Sequence, residues 1–506
     1  MIRPLLHRYR FEAVLGLLVS ISIVARLWKI TGFSEDYDEG AHLMQAWLLS
    51  QGYQLYREIF FPLPPLLIQP LAWLFQITGP SSLVARLLEV ACAGLGLVAI
   101  AYIGRKLWNE KVGLLAVILL SLADNYFRLS RISLGNVPAL VLSLVALWIG
   151  LKYLEQGRRR WLGLAGLGAS LSLLIKPLAV VTPLLLFGLV IARYWSQPHR
   201  RLEFWKGILV LGGAFFAPFV VTLFAYDAPL MLEQVVSLRY RSEQVEQQEI
   251  TANLAMLQEY FTDNPGWMGL ALFGLIRARP TQQAYRSLQT QSKLGSWLLL
   301  GWLGLTLIPI LRFESLHSHH LVMLEPPLAL LGALAIFSTV RAITPLRNPG
   351  PIGGLGLSLF LFYLGTFPTL LEDRLSDKPR GLDFAETRSR WQAVKMLQQI
   401  TTPDQFVISD DLAIPFEAKR KVPPRLSDPS RIVIQSGYVT DELAIRIASG
   451  QRVDVVIFWT ERFQENLPQF TGWVTFNYYQ TATFDEDEII YFDHFPKETT
   501  QTPHQR

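Results

Sequence analysis

The 506-residue sequence predicts a polytopic α-helical membrane protein of about eleven transmembrane helices, followed by a small extracytoplasmic α/β domain. Three observations predict this. Hydrophobic residues make up 51% of the chain and charged residues 17%, against roughly 25% charged in an ordinary soluble protein. Long apolar runs recur as far as residue 371 and then stop. Basic residues gather in alternate loops between those runs. Mean hydropathy is +0.29. The single cysteine, Cys92, lies in an apolar run, which excludes an internal disulfide and a multi-cysteine metal site. The formal charge of +5 is spread in the pattern of membrane orientation, not in the dense patch expected of a nucleic-acid partner.

The first dozen residues, "MIRPLLHRYRFE", are basic and lead into an apolar segment. That segment is too long for a secretory signal and lacks a small-residue cleavage site, so it predicts an uncleaved first span. Runs long enough to cross a hydrocarbon layer of about 30 Å follow. Expected spans are 12–30, 83–104, 113–130, 137–154, 161–175, 177–193, 207–225, 266–276, 295–311, 321–340 and 352–371. The fifth and sixth are divided only by Lys176-Pro177. With the N-terminus in the cytoplasm, alternate loops carry Arg3/Arg8/Arg10, Arg105/Lys106/Lys111, Arg158/Arg159/Arg160, Arg193/Arg200/Arg201/Lys206, Arg277/Arg279/Arg286/Lys293 and Arg341/Arg347. The positive-inside rule then orients a multi-pass protein of the inner or plasma membrane. Loop 31–82, segment 226–265, the "HSHH" loop and the chain after residue 372 fall outside the cytoplasm. The expected domains are a membrane domain, 1–374, and an extracytoplasmic domain, 375–506.

In that second region "RWQAVKMLQQI" and "TDELAIRIASG" have helical spacing, while "QFVISD", "RIVIQSG", "VDVVIFW" and "EIIYFDH" read as short strands. Asp410-Asp411 fit turn or cap positions. The glycine-rich stretches "AGLGLVAIAYIG", "LGLAGLGAS" and "GGLGLSLF" lie within spans and fit close helix packing, with no GxGxxG or Walker A context.

The chemistry is concentrated in "EDYDEGAH". A helix starting near Asp38 puts Asp38 and His42 on one face, with Glu39 to the side. Asp36 or Asp38 could serve only as a helix N-cap, but capping needs one side chain and four acids are present. The next stretch, "LYREIFFPLPPLLIQPLAWLF", is aromatic and punctuated by proline, which suits a membrane surface.

An apolar helix, an external "DE" pair, "GYQLYREIFFPLPPLL" and "ARLLEVACAGLGLVAIAYIGRKLW" together resemble GT-C type membrane glycosyltransferases. The similar families are the protein O-mannosyltransferases (glycosyltransferase family 39) and the aminoarabinose-transferase-like proteins. "LSRISLGNVPALVL", "LIKPLAVVTPLL" and "HSHHLVMLEPPLALLGALA" extend the resemblance through the membrane half, and "VPPRLSDPSRIVIQSGYVTDEL" extends it into the tail. It implies transfer of a sugar from a polyprenyl-phosphate carrier in the bilayer to an acceptor hydroxyl on the outer face, with inversion. Asp38 is then expected to act as general base, with Glu39 or Asp36 holding the acceptor or tuning the base. Arg131, Lys176, His319 and His320 are the expected donor-phosphate cations, with Arg128 and Arg312 as further candidates. His42, Tyr56, Asn136 and His317 are expected substrate contacts.

Relatives commonly carry Asp where this chain has Asn136, which shifts the weight onto Asp38. No cofactor is expected. A divalent metal is possible, but the histidines lack a zinc-binding spacing. The acceptor is unspecified. The rival classes are a transporter or flippase of lipid-linked sugars, which should show polar mid-membrane helices and repeats, and a non-catalytic lipid-glycan-binding scaffold.

Overall fold

The computed structural model describes residues 2–33, 36–194, 200–237, 250–277, 289–312, 316–343, 350–375, 384–450, 453–484 and 488–492. Glu35, part of segment 226–265 and the expected domain boundary at 375 and beyond lie at or outside these limits. Helix α1 covers Ile2–Leu27 and α2 covers Tyr37–Ser50. A short helix, α3 (Gln69–Thr78), leads into α4 (Ser82–Leu107). The core helices that follow are α5 (Glu110–Leu122), α6 (Asp124–Leu129), α7 (Asn136–Gln156), α8 (Arg159–Leu173), α9 (Val181–Tyr194) and α10 (Arg201–Ala225). Further helices are Ile250–Asp263, Pro265–Arg277, Gln289–Arg312, Glu325–Ile343 and Gly350–Leu375.

Among the described residues, six helical stretches are long and apolar enough to cross a membrane: Ser82–Leu107, Asn136–Gln156, Pro177–Tyr194, Arg201–Ala225, Gly295–Arg312 and Ser318–Arg341. The expected count of eleven exceeds this. The expected span 113–130 breaks at Ala123 into α5 and α6. The break is held from afar, because the Glu325 carboxylate accepts the backbone N–H groups of Asn125 (2.9 Å) and Tyr126 (2.7 Å).

The glycine-rich stretches pack helices closely, as their composition predicts. A Cβ on Gly104 would stand 2.8 Å from the Gly113 Cα, and one on Gly166 would stand 2.7 Å from the Leu211 carbonyl oxygen. The backbones of α4 and α5, and of α8 and α10, therefore touch where a side chain would separate them.

The tail forms a four-stranded sheet in the order β1-β2-β4-β3, from β1 (Phe406–Ser409), β2 (Val453–Phe458), β3 (Tyr479–Thr483) and β4 (Ile489–Phe492). β1 and β2 are parallel, while β4 is antiparallel to both β2 and β3. Three of the four expected strands are present. The fourth, "RIVIQSG", is instead a helix, Arg431–Gln435, closed by Gly437 at φ +77°. Its buried residues, Val433 and Ile434, are adjacent, which fits one helix face and not the alternation of a strand.

Helix α2 is enclosed on nearly all sides: residues Glu39 to Leu48 are buried. The tail covers it. Trp47 meets Phe416 edge-on at 6.0 Å, and Phe60 from the first loop packs at a tilt against Tyr438, 4.0 Å between centroids, within the tail's own apolar core. At Gly40 the two backbones approach so closely that a Cβ would lie 2.7 Å from the Ala413 nitrogen. Replacing a helical glycine with alanine ordinarily stabilises by about 1 kcal/mol. Gly40→Ala should do the opposite, costing about 1–3 kcal/mol through overpacking against rigid backbone, whereas Gly188→Ala, with open space around it, should not. Thermal denaturation of the two variants checks this.

Candidate active site

Asp36 caps α2: its Oδ1 accepts the Asp38 N–H at 3.2 Å. This satisfies one of the helix's orphan donors and starts α2 with three acids in or beside its first turn. Each acid meets a different environment.

Glu39 is committed to structure. Its carboxylate is 1% exposed and forms a two-pronged pair with Arg86 of α4, at 2.8 Å and 2.7 Å. It also accepts the Ser133 N–H at 2.8 Å. The remaining Arg86 nitrogen donates to the carbonyls of Ile30 and Gly32. One buried guanidinium thus ties the end of the first span, the acidic turn and α4 together. The expected role of Glu39 in holding an acceptor is corrected accordingly, since its oxygens are already taken.

Asp38 and Asp36 face the chemistry. Lys176 lies in the break between α8 and the next helix, 6% exposed, in the extended conformation that a following proline favours. Its ammonium acts on Asp36, Asp38 and His42. Burial would raise the Asp38 carboxyl, but His42, Lys176, His319 and His317 outweigh it and hold the group below the usual range. Burial, reinforced by the Asp38 charge, pushes Asp36 up to about 6. Burial and then Lys176 push His42 down to about 4, so its imidazole is neutral at pH 7 and Lys176 supplies the standing positive charge. His42 Nδ1 is buried with no hydrogen-bond partner among the described residues.

His319 Nδ1 lies 3.9 Å from Asp36 Oδ2, which brings the "HSHH" turn to the acidic turn. His320 Nδ1 accepts the His317 N–H at 3.0 Å, so His320 braces that turn. The rings of His319 and His320 pack edge-on at 4.2 Å. Among the described residues no cluster of three His, Cys, Asp or Glu side chains is placed to hold a metal ion. Asn136 donates to the His319 carbonyl at 3.2 Å, which fixes this turn to the start of α7, and its Oδ1 has no hydrogen-bond partner among the described residues.

Two other expected contacts make bonds within the protein. Arg131 Nη2 donates to the carbonyls of Trp28 and Lys29, whereas Arg128 acts electrostatically on Asp36. Tyr56 is buried in a left-handed conformation, φ +69°, and its hydroxyl donates to the Leu63 carbonyl at 2.9 Å. It shapes the first loop. Gln234, from the external segment, stitches that loop by accepting the Phe61 N–H at 2.9 Å and donating to the Tyr56 carbonyl at 2.7 Å.

Sequence reasoning missed Arg86, Glu89, Asp428 and Arg462. Glu89 Oε1 accepts the Gly135 N–H at 3.2 Å, and its other oxygen is buried with no hydrogen-bond partner among the described residues. Arg86 and Glu89 carried a visible signal, being charges inside an otherwise apolar span. Asp410-Asp411 take the expected turn roles: Asp410 accepts the Trp459 and Thr460 N–H groups, and Asp411 accepts the Ala413 N–H and pairs with Arg390 at 2.6 Å.

The division of labour among the acids is testable by stability. Glu39→Gln strands the buried Arg86 charge and should cost about 3–5 kcal/mol. Asp38→Asn leaves the Arg86 pair intact, removes only the longer-range attraction to Lys176, and should cost less, about 1–2 kcal/mol.

Residues 62–248 match the family model described as "Dolichyl-phosphate-mannose-protein mannosyltransferase". No curated protein matches the chain by sequence. Among solved structures, ArnT from Cupriavidus metallidurans bound to undecaprenyl phosphate aligns with a TM-score of 0.61 at 14% identity, covering 95% of this chain and 98% of its own. The oligosaccharyltransferase AglB from Archaeoglobus fulgidus, in complex with an inhibitory peptide and a dolichol-phosphate, aligns with a TM-score of 0.58 at 11% identity, covering 97% and 75%. The chain thus has the fold of these membrane glycosyltransferases, with six described helical stretches long and apolar enough to cross a membrane, and its residues 62–248 match the mannosyltransferase family model.

Proposed function

We infer that the protein transfers a sugar from a polyprenyl-phosphate carrier to an acceptor hydroxyl, with inversion at the anomeric carbon. What carries this reading is the placing of Asp38, half-buried and held ionised in the field of Lys176, on the helix that Asp36 caps, with His319 3.9 Å from Asp36. The fold similarity to proteins solved with undecaprenyl phosphate and dolichol-phosphate supports a lipid-linked donor.

The acceptor oxygen attacks the anomeric carbon as its proton passes to the Asp38 carboxylate. The bond from that carbon to the phosphate oxygen breaks, and its electron pair stays on the departing polyprenyl phosphate. Lys176 and Arg128 face the acidic turn, where that charge grows, and already-placed cations stabilise it without reorganisation. His319 lies against the capping Asp36. Asp36 also lends its oxygen to the start of α2, which fixes the direction of Asp38. In the orientation with a cytoplasmic N-terminus, this hollow opens to the outer leaflet, and the tail domain stands above it outside the cytoplasm.

Purified protein given polyprenyl-phosphate sugar and an acceptor should release polyprenyl phosphate. Asp38→Asn should slow release by at least about 100-fold while the protein stays folded; full activity would remove Asp38 as base. The pH profile provides a second check. As pH falls through about 6, Asp36 takes up a proton and loses acceptor capacity toward the Asp38 N–H and His319, while Asp38 remains ionised. Release should therefore show an acid limb near pH 6, and Asp36→Asn, which can still cap α2, should lack it.

A further inference from the structure

The tail domain meets the acidic turn with one edge of its sheet. Parallel strands β1 and β2 end at Ser409 and Phe458, and the residues just beyond them reach Tyr37, the neighbour of Asp38. The Arg462 guanidinium lies over the Tyr37 ring at 3.9 Å. The Tyr37 hydroxyl is 3.4 Å from Asp428 Oδ1, which also accepts the Ser430 N–H at 3.1 Å. Asp428 stands in the field of Asp38, and Asp410 acts on Tyr37. Open α/β sheets bind ligands outside the carboxyl ends of their parallel strands. Here that edge is turned onto the membrane domain's own acids.

Two features of this edge point to a ligand. Arg462 Nη1 is buried with no hydrogen-bond partner among the described residues, and a stranded charged donor is costly. Glu461, directly before it, is held in a left-handed conformation at φ +56°, a strained position for a residue with a side chain. An unfilled donor needs an oxygen. Asp38, Asp410 and Asp428 stand around the same ring, and such a setting repels a second anion. A hydroxyl suits it, since it accepts from the guanidinium and donates to a carboxylate.

The geometry points to a subsite for sugar hydroxyls between the two domains, built by Arg462 and Asp428 of the tail around Tyr37. It rests on the glycosyl-transfer reading above and deepens it, giving the tail a part in selecting the sugar. The hydroxyls belong either to the donor's glycosyl group or to a glycan acceptor.

Binding to the full-length protein in nanodiscs separates these sources. The probes are undecaprenyl phosphate, undecaprenyl-phosphate mannose and undecaprenyl-phosphate glucose, with a set of methyl hexosides as surrogate acceptors. Arg462→Met and Asp428→Asn should leave the Kd for bare undecaprenyl phosphate unchanged. A donor subsite predicts about 10-fold weaker binding of a sugar-linked lipid in both variants. An acceptor subsite predicts unchanged donor binding and about 10-fold weaker binding of a methyl hexoside. Tyr37→Phe, which removes only the hydroxyl facing Asp428, should fold and show a smaller loss in the same arm. Thermal midpoints confirm that each variant is folded.

The proposal is overturned if folded variants bind every sugar-bearing probe as the wild type does. It is also overturned if bare undecaprenyl phosphate loses affinity equally, which would put Arg462 on the phosphate, or if the wild type discriminates none of the sugars. Sugar-dependent binding by a wild type that never releases undecaprenyl phosphate would sink the transfer reading and leave the subsite standing.

Discussion

The arrangement depends on the buried pair between Glu39 and Arg86. Desolvating two charges costs several kcal/mol each, and their mutual attraction repays this only with near-ideal geometry and every remaining donor satisfied. Both conditions are met. The carboxylate takes two guanidinium bonds and a backbone N–H, and the guanidinium's third nitrogen takes two backbone carbonyls. Such a pair adds little net stability compared with an apolar replacement. It does specify geometry, because any other packing strands a charge. The first turn of α2 thereby acquires one orientation relative to α4 and the loop before α7, and Asp36 and Asp38 inherit it.

From that fixed turn, environment divides three acids into three roles. Glu39 is neutralised by its partner, Asp36 caps the helix and titrates near pH 6, and Asp38 stays charged under the field of Lys176. Carboxylates of almost equal intrinsic strength are thus separated by what surrounds them, as acid–base chemistry at neutral pH requires. The tail closes the other side. Phe60 enters its apolar core, Gly40 allows backbone contact at Ala413, and Arg462 covers Tyr37. The surroundings of the acidic turn are therefore a product of both halves of the chain.

Much of this was legible in the sequence, for identifiable reasons. Hydrophobic run length marks the spans, and the position of "DYDE" after the first of them marks the site. The α5–α6 break was not legible, because no local glycine or proline causes it; a carboxylate about 200 residues away at Glu325 does. The choice among Asp36, Asp38 and Glu39 was equally hidden, since it is made by Arg86, Ser133 and Lys176, all distant in sequence. Tyr56 looked like a substrate contact because aromatics in an external loop often are, yet Leu63 and Gln234 had claimed its polar atoms. "RIVIQ" is too short for periodicity to decide between strand and helix, and tertiary burial of adjacent residues decided it.

The central claim is that Asp38 and Lys176 stand on opposite sides of the bond that breaks. An experimental structure of the Asp38→Asn protein with an undecaprenyl-phosphate sugar tests it most directly. The account predicts the phosphate beside the Lys176 ammonium, with the anomeric carbon facing residue 38 on the side away from the phosphate. A phosphate seated elsewhere, with the sugar out of reach of α2, would contradict it.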